Sequence, residues 1–233
     1  MRKLGLLAGA LAPALLAGTP AAAEALIWGF SAEQLEYRLG DETDVLAWDF
    51  DAFAGSDELR LVWRSEGEYG TDEDEFETLE NQLRLHRPIS DFWDLAVGIR
   101  ADTPAGPDRL HGLIGLQGLA PQWFEIDLGL FVSNNPFLRF ETEYELLLTN
   151  RLILTPSIEA ELPLTDDEPI GAGAFGPRVE VGARLSYDLI DRSVSPYLGI
   201  HYERLFGESA DLARADDEER DALFVVAGLR LRF

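Results

Sequence analysis

The chain has 233 residues, no cysteine, 43 acidic against 19 basic side chains and a formal net charge of −24. Without cysteine there is no disulfide framework and no thiolate metal site, and so acidic a chain offers nucleic acid no basic surface to hold phosphates. Beyond the N-terminal segment no run of 18 apolar residues occurs, so no transmembrane helix is expected; a membrane β-barrel, which crosses on short alternating strands, stays open.

In chain order, Arg2 and Lys3 precede an apolar run from Leu4 to Gly18, and Ala21-Ala22-Ala23 gives a small-residue cleavage site. That pattern predicts a secretory signal peptide over residues 1–23, followed by a short segment, 24–31, and a single domain, 32–233. The only lysine and the only methionine, Lys3 and Met1, fall in the signal, so the cations beyond it are all arginine.

From residue 32 onward, period-2 alternation keeps returning, the mark of strands with one apolar and one polar face. Twelve strands are predicted, at about 32–39, 43–50, 58–67, 75–86, 91–101, 110–119, 122–132, 136–147, 149–162, 176–188, 195–206 and 222–233, a count good to about two. The last is the clearest: Leu223, Val225, Ala227, Leu229, Leu231 and Phe233 share one face, and Arg230 and Arg232 the other. Pro156 marks an irregularity in its strand. In the later half, connections alternate between tight ("LTN", "IDRSVS") and long and acidic ("PLTDDEPIGAGAFGP", "GESADLARADDEERDA"). The glycine-rich "GAGAFG" (171–176) opens a strand rather than a helix, unlike a phosphate loop, and reads as a flexible loop.

The expected fold is therefore all-β: a transmembrane up-and-down antiparallel β-barrel of about 12 strands, with short periplasmic turns and longer outer loops. A soluble sandwich or lipocalin-like barrel also alternates. It would have to house Trp63, Trp93, Phe124, Phe140, Tyr144, Phe233 and many leucines inside, where volume is limited. Trp93, Phe92, Trp123, Tyr187 and Tyr197 would suit an aromatic girdle at the periplasmic interface.

The polar face then lines the lumen. Its simplest use is a lattice of paired arginines and carboxylates; next come a charged permeation path and a metal site. "WFEIDLGLF" poses the question sharply, since Glu125 and Asp127 alternate with Phe124, Ile126, Leu128 and Leu130. Arg139 and Arg100 are the partners expected for them. All three histidines, His86, His111 and His201, fall in the polar register, and His201 aligns with Glu203. Imidazole with carboxylate suits Cu(II) or Zn(II), which makes His201, Glu203, His86 and His111 the candidate metal ligands. Their different depths argue against one shared site. No histidine has a sequence neighbour that marks a nucleophile or its base, so no catalysis is expected.

Five stretches in order, "AEQLEYRLGDETDVLAWDFDAFAG" (32–55), "ISDFWDLAVGIRADTPAGPDR" (89–109), "GLQGLAPQWFEIDLGLFVS" (115–133), "ETEYELLLTNRLILTPSIEAEL" (141–162) and "SPYLGIHYERLFGESADLAR" (195–214), resemble the copper-resistance protein B (CopB) family of outer-membrane proteins. The terminal Phe233 in the apolar register is likewise typical of bacterial outer-membrane barrels. The resemblance implies a barrel in the Gram-negative outer membrane, with the lipid bilayer as its surroundings and copper ions as its ligand. The chain departs from many members in lacking a Met- and His-rich segment before the barrel. Any copper site would then use imidazoles and carboxylates. The alternative is a passive channel or a structural barrel without specific metal binding.

Overall fold

A computed structural model describes residues 26–40, 43–72, 74–104 and 106–233; the expected signal peptide lies outside them. The strands are β1 (Ile27–Leu39), β2 (Val45–Gly55), β3 (Arg60–Gly70), β4 (Glu75–Pro88), β5 (Trp93–Asp102), β6 (Arg109–Ala120), β7 (Phe124–Val132), β8 (Phe137–Glu143), β9 (Leu146–Leu147), β10 (Leu152–Pro163), β11 (Arg178–Tyr187), β12 (Val194–Leu205) and β13 (Asp221–Arg232). β8 and β9 are two pieces of one wall strand, both paired with β10. Every wall strand is antiparallel to its sequence neighbours, and β1 pairs with β13, which closes a barrel of 12 strands. At the seam, Phe30 N donates to Phe233 O at 3.0 Å and Phe233 N to Phe30 O at 2.8 Å. The terminal phenylalanine thus closes the ladder through its backbone.

The expected strands are all present, with three local differences. β1 begins at Ile27, inside the segment read as preceding the barrel. β2 runs on to Gly55, because Asp49 and Asp51 alternate inward rather than ending it. The strand expected at 136–147 is the one that breaks, while β10 runs straight through Pro156. Tyr144 N donates to Pro156 O at 3.2 Å, and proline has no N–H to return, so the ladder opens on the neighbour's side.

Burial is inverted relative to a soluble protein. Leu61, Trp63, Leu83, Leu85, Val97 and Ile99 are all at least 40% exposed, while Glu36, Gln82, Arg84, His86 and His111 are at most 2% exposed. An apolar band this continuous is a surface for lipid, and the polar residues are what fills the barrel. Trp123, Phe92 and Tyr187 are exposed at or near the rim that carries the short turns, as a girdle requires. Tyr197 is not part of it. It is buried in the lumen, where its hydroxyl donates to Glu36 Oε2 at 2.9 Å. It shares the parity of His201, so the strand pleat turns it inward.

The rim where β1 begins and β13 ends holds only short turns, 56–59, 89–92, 121–123, 148–151 and 188–193; the opposite rim carries the long connections 164–177 and 206–220. The second of these contains helix α1 (Gly207–Ala215), which buries Ser209, Ala210 and Ala213. The "GAGAFG" stretch is its seat rather than a free loop. Gly173 N donates to Ser209 Oγ at 2.9 Å, and Ser209 Oγ donates to Gly176 O at 2.6 Å. A Cβ on Gly176 would collide with Ser209 N, so only glycine permits this approach.

Candidate functional site in the barrel lumen

Inward-pointing residues from the barrel wall line a cavity of about 1420 Å³ that reaches from Ile170 and Asp216 at the outer rim to Asp91 and Phe92 at the inner one. Carboxylates outnumber guanidiniums almost two to one on its lining. Three groups of ion pairs, two buried and one half-buried, tie strands of the wall together through the lumen.

The first centres on Arg139 of β8. Its Nη1 and Nη2 donate to the two oxygens of Glu80 at 2.9 Å each, a bidentate pairing that reaches from β8 to β4. The same guanidinium lies 3.0 Å from Glu66 and 3.2 Å from both Glu159 and Glu161. Arg64 of β3 reaches Glu141 of β8 at 2.7 Å, and Arg100 reaches Glu80 at 2.6 Å and Asp102 at 2.7 Å. The second group surrounds Glu36, which accepts from Arg184 at 2.8 and 2.7 Å, from Arg38 at 2.8 Å and from Tyr197. The third ties the inner end of β13 to β1 and to the break between β8 and β9: Arg230 lies 3.2 Å from Glu33 and 3.3 Å from Glu145, and Arg232 lies 3.0 Å from Glu33.

Asp127 points into this lattice, but Arg139 and Arg100 are not its partners. It contacts Arg84 closely and Arg64 at 3.5 Å. Arg139 stands opposite Gly129, one inward step farther out along β7, and its guanidinium is drawn to the carboxylates of β3, β4 and β10 instead. Glu125 has no arginine within 4 Å among the described residues and stands directly opposite Glu143.

The structure separates the expected metal ligands. His201 Nε2 lies 3.3 Å from Oε2 of Glu180, on β11, whereas Glu203 contacts Arg178. His201 and Glu203 share a face two residues apart on β12, but Arg178 draws Glu203 away, and the register Gly182 to His201 sets Glu180 diagonally beside the imidazole. His111 Nε2 lies 3.2 Å from Asp102 Oδ2 across β5 and β6. His86 is buried on the cavity wall near the inner end of β4, and its Nε2 has no hydrogen-bond partner among the described residues. Among the described residues no group of three or more histidine and carboxylate side chains stands ready to hold a metal. Sequence reasoning missed Glu180 and Asp102. Both lie in the polar register, and only strand pairing shows which histidine each one faces.

Residues 26–233 match the family described as Copper resistance protein B precursor (CopB). The chain is 37% identical over 203 residues to Copper resistance protein B of Escherichia coli, covering 86% of this chain and 68% of that protein. It is 35% identical over 206 residues to the Copper resistance protein B homolog of Pseudomonas syringae pv. tomato, covering 88% and 69%. The fold superimposes on the NanC porin with a TM-score of 0.55 at 10% identity, over 89% of this chain and 100% of that one, a likeness of architecture alone.

Proposed function

The chain belongs to the copper resistance protein B family, and from that premise we propose that this outer-membrane barrel serves copper resistance by binding Cu(II) at imidazole–carboxylate pairs in its lumen. The observation that carries the reading is that two of three histidines face a carboxylate on the adjoining strand, His201 with Glu180 at 3.3 Å and His111 with Asp102 at 3.2 Å. Neutral imidazole with carboxylate oxygen is a donor set that Cu(II) accepts. Cysteine is absent and the only methionine is Met1, so the described chain offers Cu(I) no soft ligand. Each pair supplies two ligands, and water or a neighbouring carboxylate completes the shell. The reading includes export through a signal peptide cleaved after Ala23, which delivers the barrel to its membrane. It assigns the lumen no catalytic step.

Calorimetric titration of the refolded mature barrel with Cu(II) tests it. Saturable binding is expected, and His201→Ala weakens it by about tenfold or more, since losing even a residue that only orients a ligand costs about that much. No heat beyond that of Cu(II) into buffer would sink the reading.

A further inference from the structure

The strand registers place five carboxylates side by side on five consecutive walls of the barrel. Asp127 of β7 stands opposite Glu141 of β8, Glu141 opposite Glu159 of β10, Glu159 opposite Glu180 of β11, and Glu180 opposite Glu203 of β12. All five line the cavity. Strands in a closed barrel are tilted, so a row that follows the register climbs the wall as it turns. Asp127 lies near the inner end of β7, and Glu203 near the outer end of β12. The row is thus a ramp from one mouth toward the other. Below it, Glu125 faces Glu143 in the same manner; above it, Asp216, Glu218, Glu219 and Asp221 border the outer mouth.

Like charges directly opposite one another destabilise a sheet, and a barrel that needed only filling would alternate signs along the register. Here the opposite charges come from elsewhere. Arg84 and Arg64 reach Asp127, Arg64 reaches Glu141, Arg139 reaches Glu159, and Arg178 reaches Glu180 and Glu203. Among the described residues, Arg139 is also held by Glu80 and Glu66, Arg64 by Asp49, and Arg178 lies 3.8 Å from Glu68, whereas Arg84 has Asp127 as its one carboxylate and otherwise donates to Gln82. Arg139, Arg64 and Arg178 can therefore loosen from Glu159, Glu141, Glu180 and Glu203 without being stranded, while Arg84 keeps Asp127 held at the inner foot of the ramp. A second observation points the same way: His201 Nε2, buried beside Glu180 on the cavity wall, makes no aligned hydrogen bond of its own.

We propose that the barrel conducts small cations, and that the in-register carboxylates Asp127, Glu141, Glu159, Glu180 and Glu203 are the rail along which they cross the lumen. Rings or rows of carboxylates select cations by their negative charge. A row in which neighbours share arginines binds weakly enough at each step to let the ion move on. The proposal goes beyond copper binding and applies to an ion such as K⁺.

The test is single-channel recording of the refolded mature barrel in a planar bilayer under a KCl gradient, with a chelator and no copper. A reversal potential on the K⁺ side is expected. Glu159→Gln alone, and Glu141→Gln with Glu159→Gln and Glu180→Gln, should lower the K⁺-to-Cl⁻ permeability ratio by roughly two- to fivefold, the range for partly solvated charge interactions. Asp57→Asn, in an exposed inner turn outside the lattice, should leave it unchanged. Folding of each variant is checked by heat-modifiable gel migration, and Glu159→Gln carries the test if the triple variant does not fold. A folded wild-type barrel that passes no current, one that prefers Cl⁻, or a folded Glu159→Gln barrel with wild-type selectivity would overturn the proposal. With copper absent from the chamber, any of these leaves the copper-binding reading standing.

Discussion

Glu36 and Glu125 both face the lumen, and their surroundings are opposites. Glu36 is buried among two arginines and a tyrosine, with both oxygens bonded. Glu125 is open to the cavity, has no arginine within 4 Å among the described residues and looks across at another carboxylate, Glu143. The difference divides the lattice by how fully its charges are paired. Where β1 meets β11 and β12, carboxylate and guanidinium saturate each other and lock strand positions. Along β7 and β8, acid exceeds base and Glu125 is left without a guanidinium within 4 Å among the described residues. A buried charge that loses its partners is costly, whereas an exposed one is not.

That contrast can be broken or sharpened by substitution. The largest effect is expected for Glu36→Ala, which leaves Arg184 and Arg38 buried without their shared carboxylate. It should lower stability by about 3–5 kcal/mol, read as a shift of the urea unfolding midpoint of the barrel in lipid vesicles. Tyr197→Phe removes one hydrogen bond to the same carboxylate and should cost about 1.5–3 kcal/mol in the same assay. Glu125→Gln should leave the midpoint unchanged or raise it slightly, because it relieves a like-charge pair. If Glu125→Gln proved as damaging as Glu36→Ala, the division between a saturated and an open half of the lattice would be wrong.

The sequence carried the barrel well. Alternation such as Phe124-Glu125-Ile126-Asp127-Leu128 marks inside and outside residue by residue, and neither tight turns nor long acidic loops disturb it. It also held more than aromatic character suggests: Tyr197 has the parity of His201 and Glu203, and that parity, not its ring, placed it in the lumen. Partners across the lumen were beyond it. Arg84 and Asp127 are 43 residues apart, and Arg139 and Glu80 are 59 apart. Which of many inward arginines meets which carboxylate depends on register and strand stagger, which fix depth, and on the reach of a long side chain. The same limit explains the histidines. Sequence spacing joined His201 to Glu203, whereas in the barrel Glu203 goes to Arg178 and the imidazole lies against Glu180 of the adjoining strand. The ramp of carboxylates was equally hidden, since each member is an ordinary inward acid until the registers are stacked.

The claim that copper resistance works through lumen imidazoles is tested most directly by survival. A strain lacking this barrel is complemented with the wild-type chain or with a variant carrying His86→Ala, His111→Ala and His201→Ala, with equal amounts of folded barrel confirmed in the outer membrane. The wild-type chain is expected to restore growth at inhibitory Cu(II), and the triple variant is not. Full restoration by the triple variant would contradict the claim.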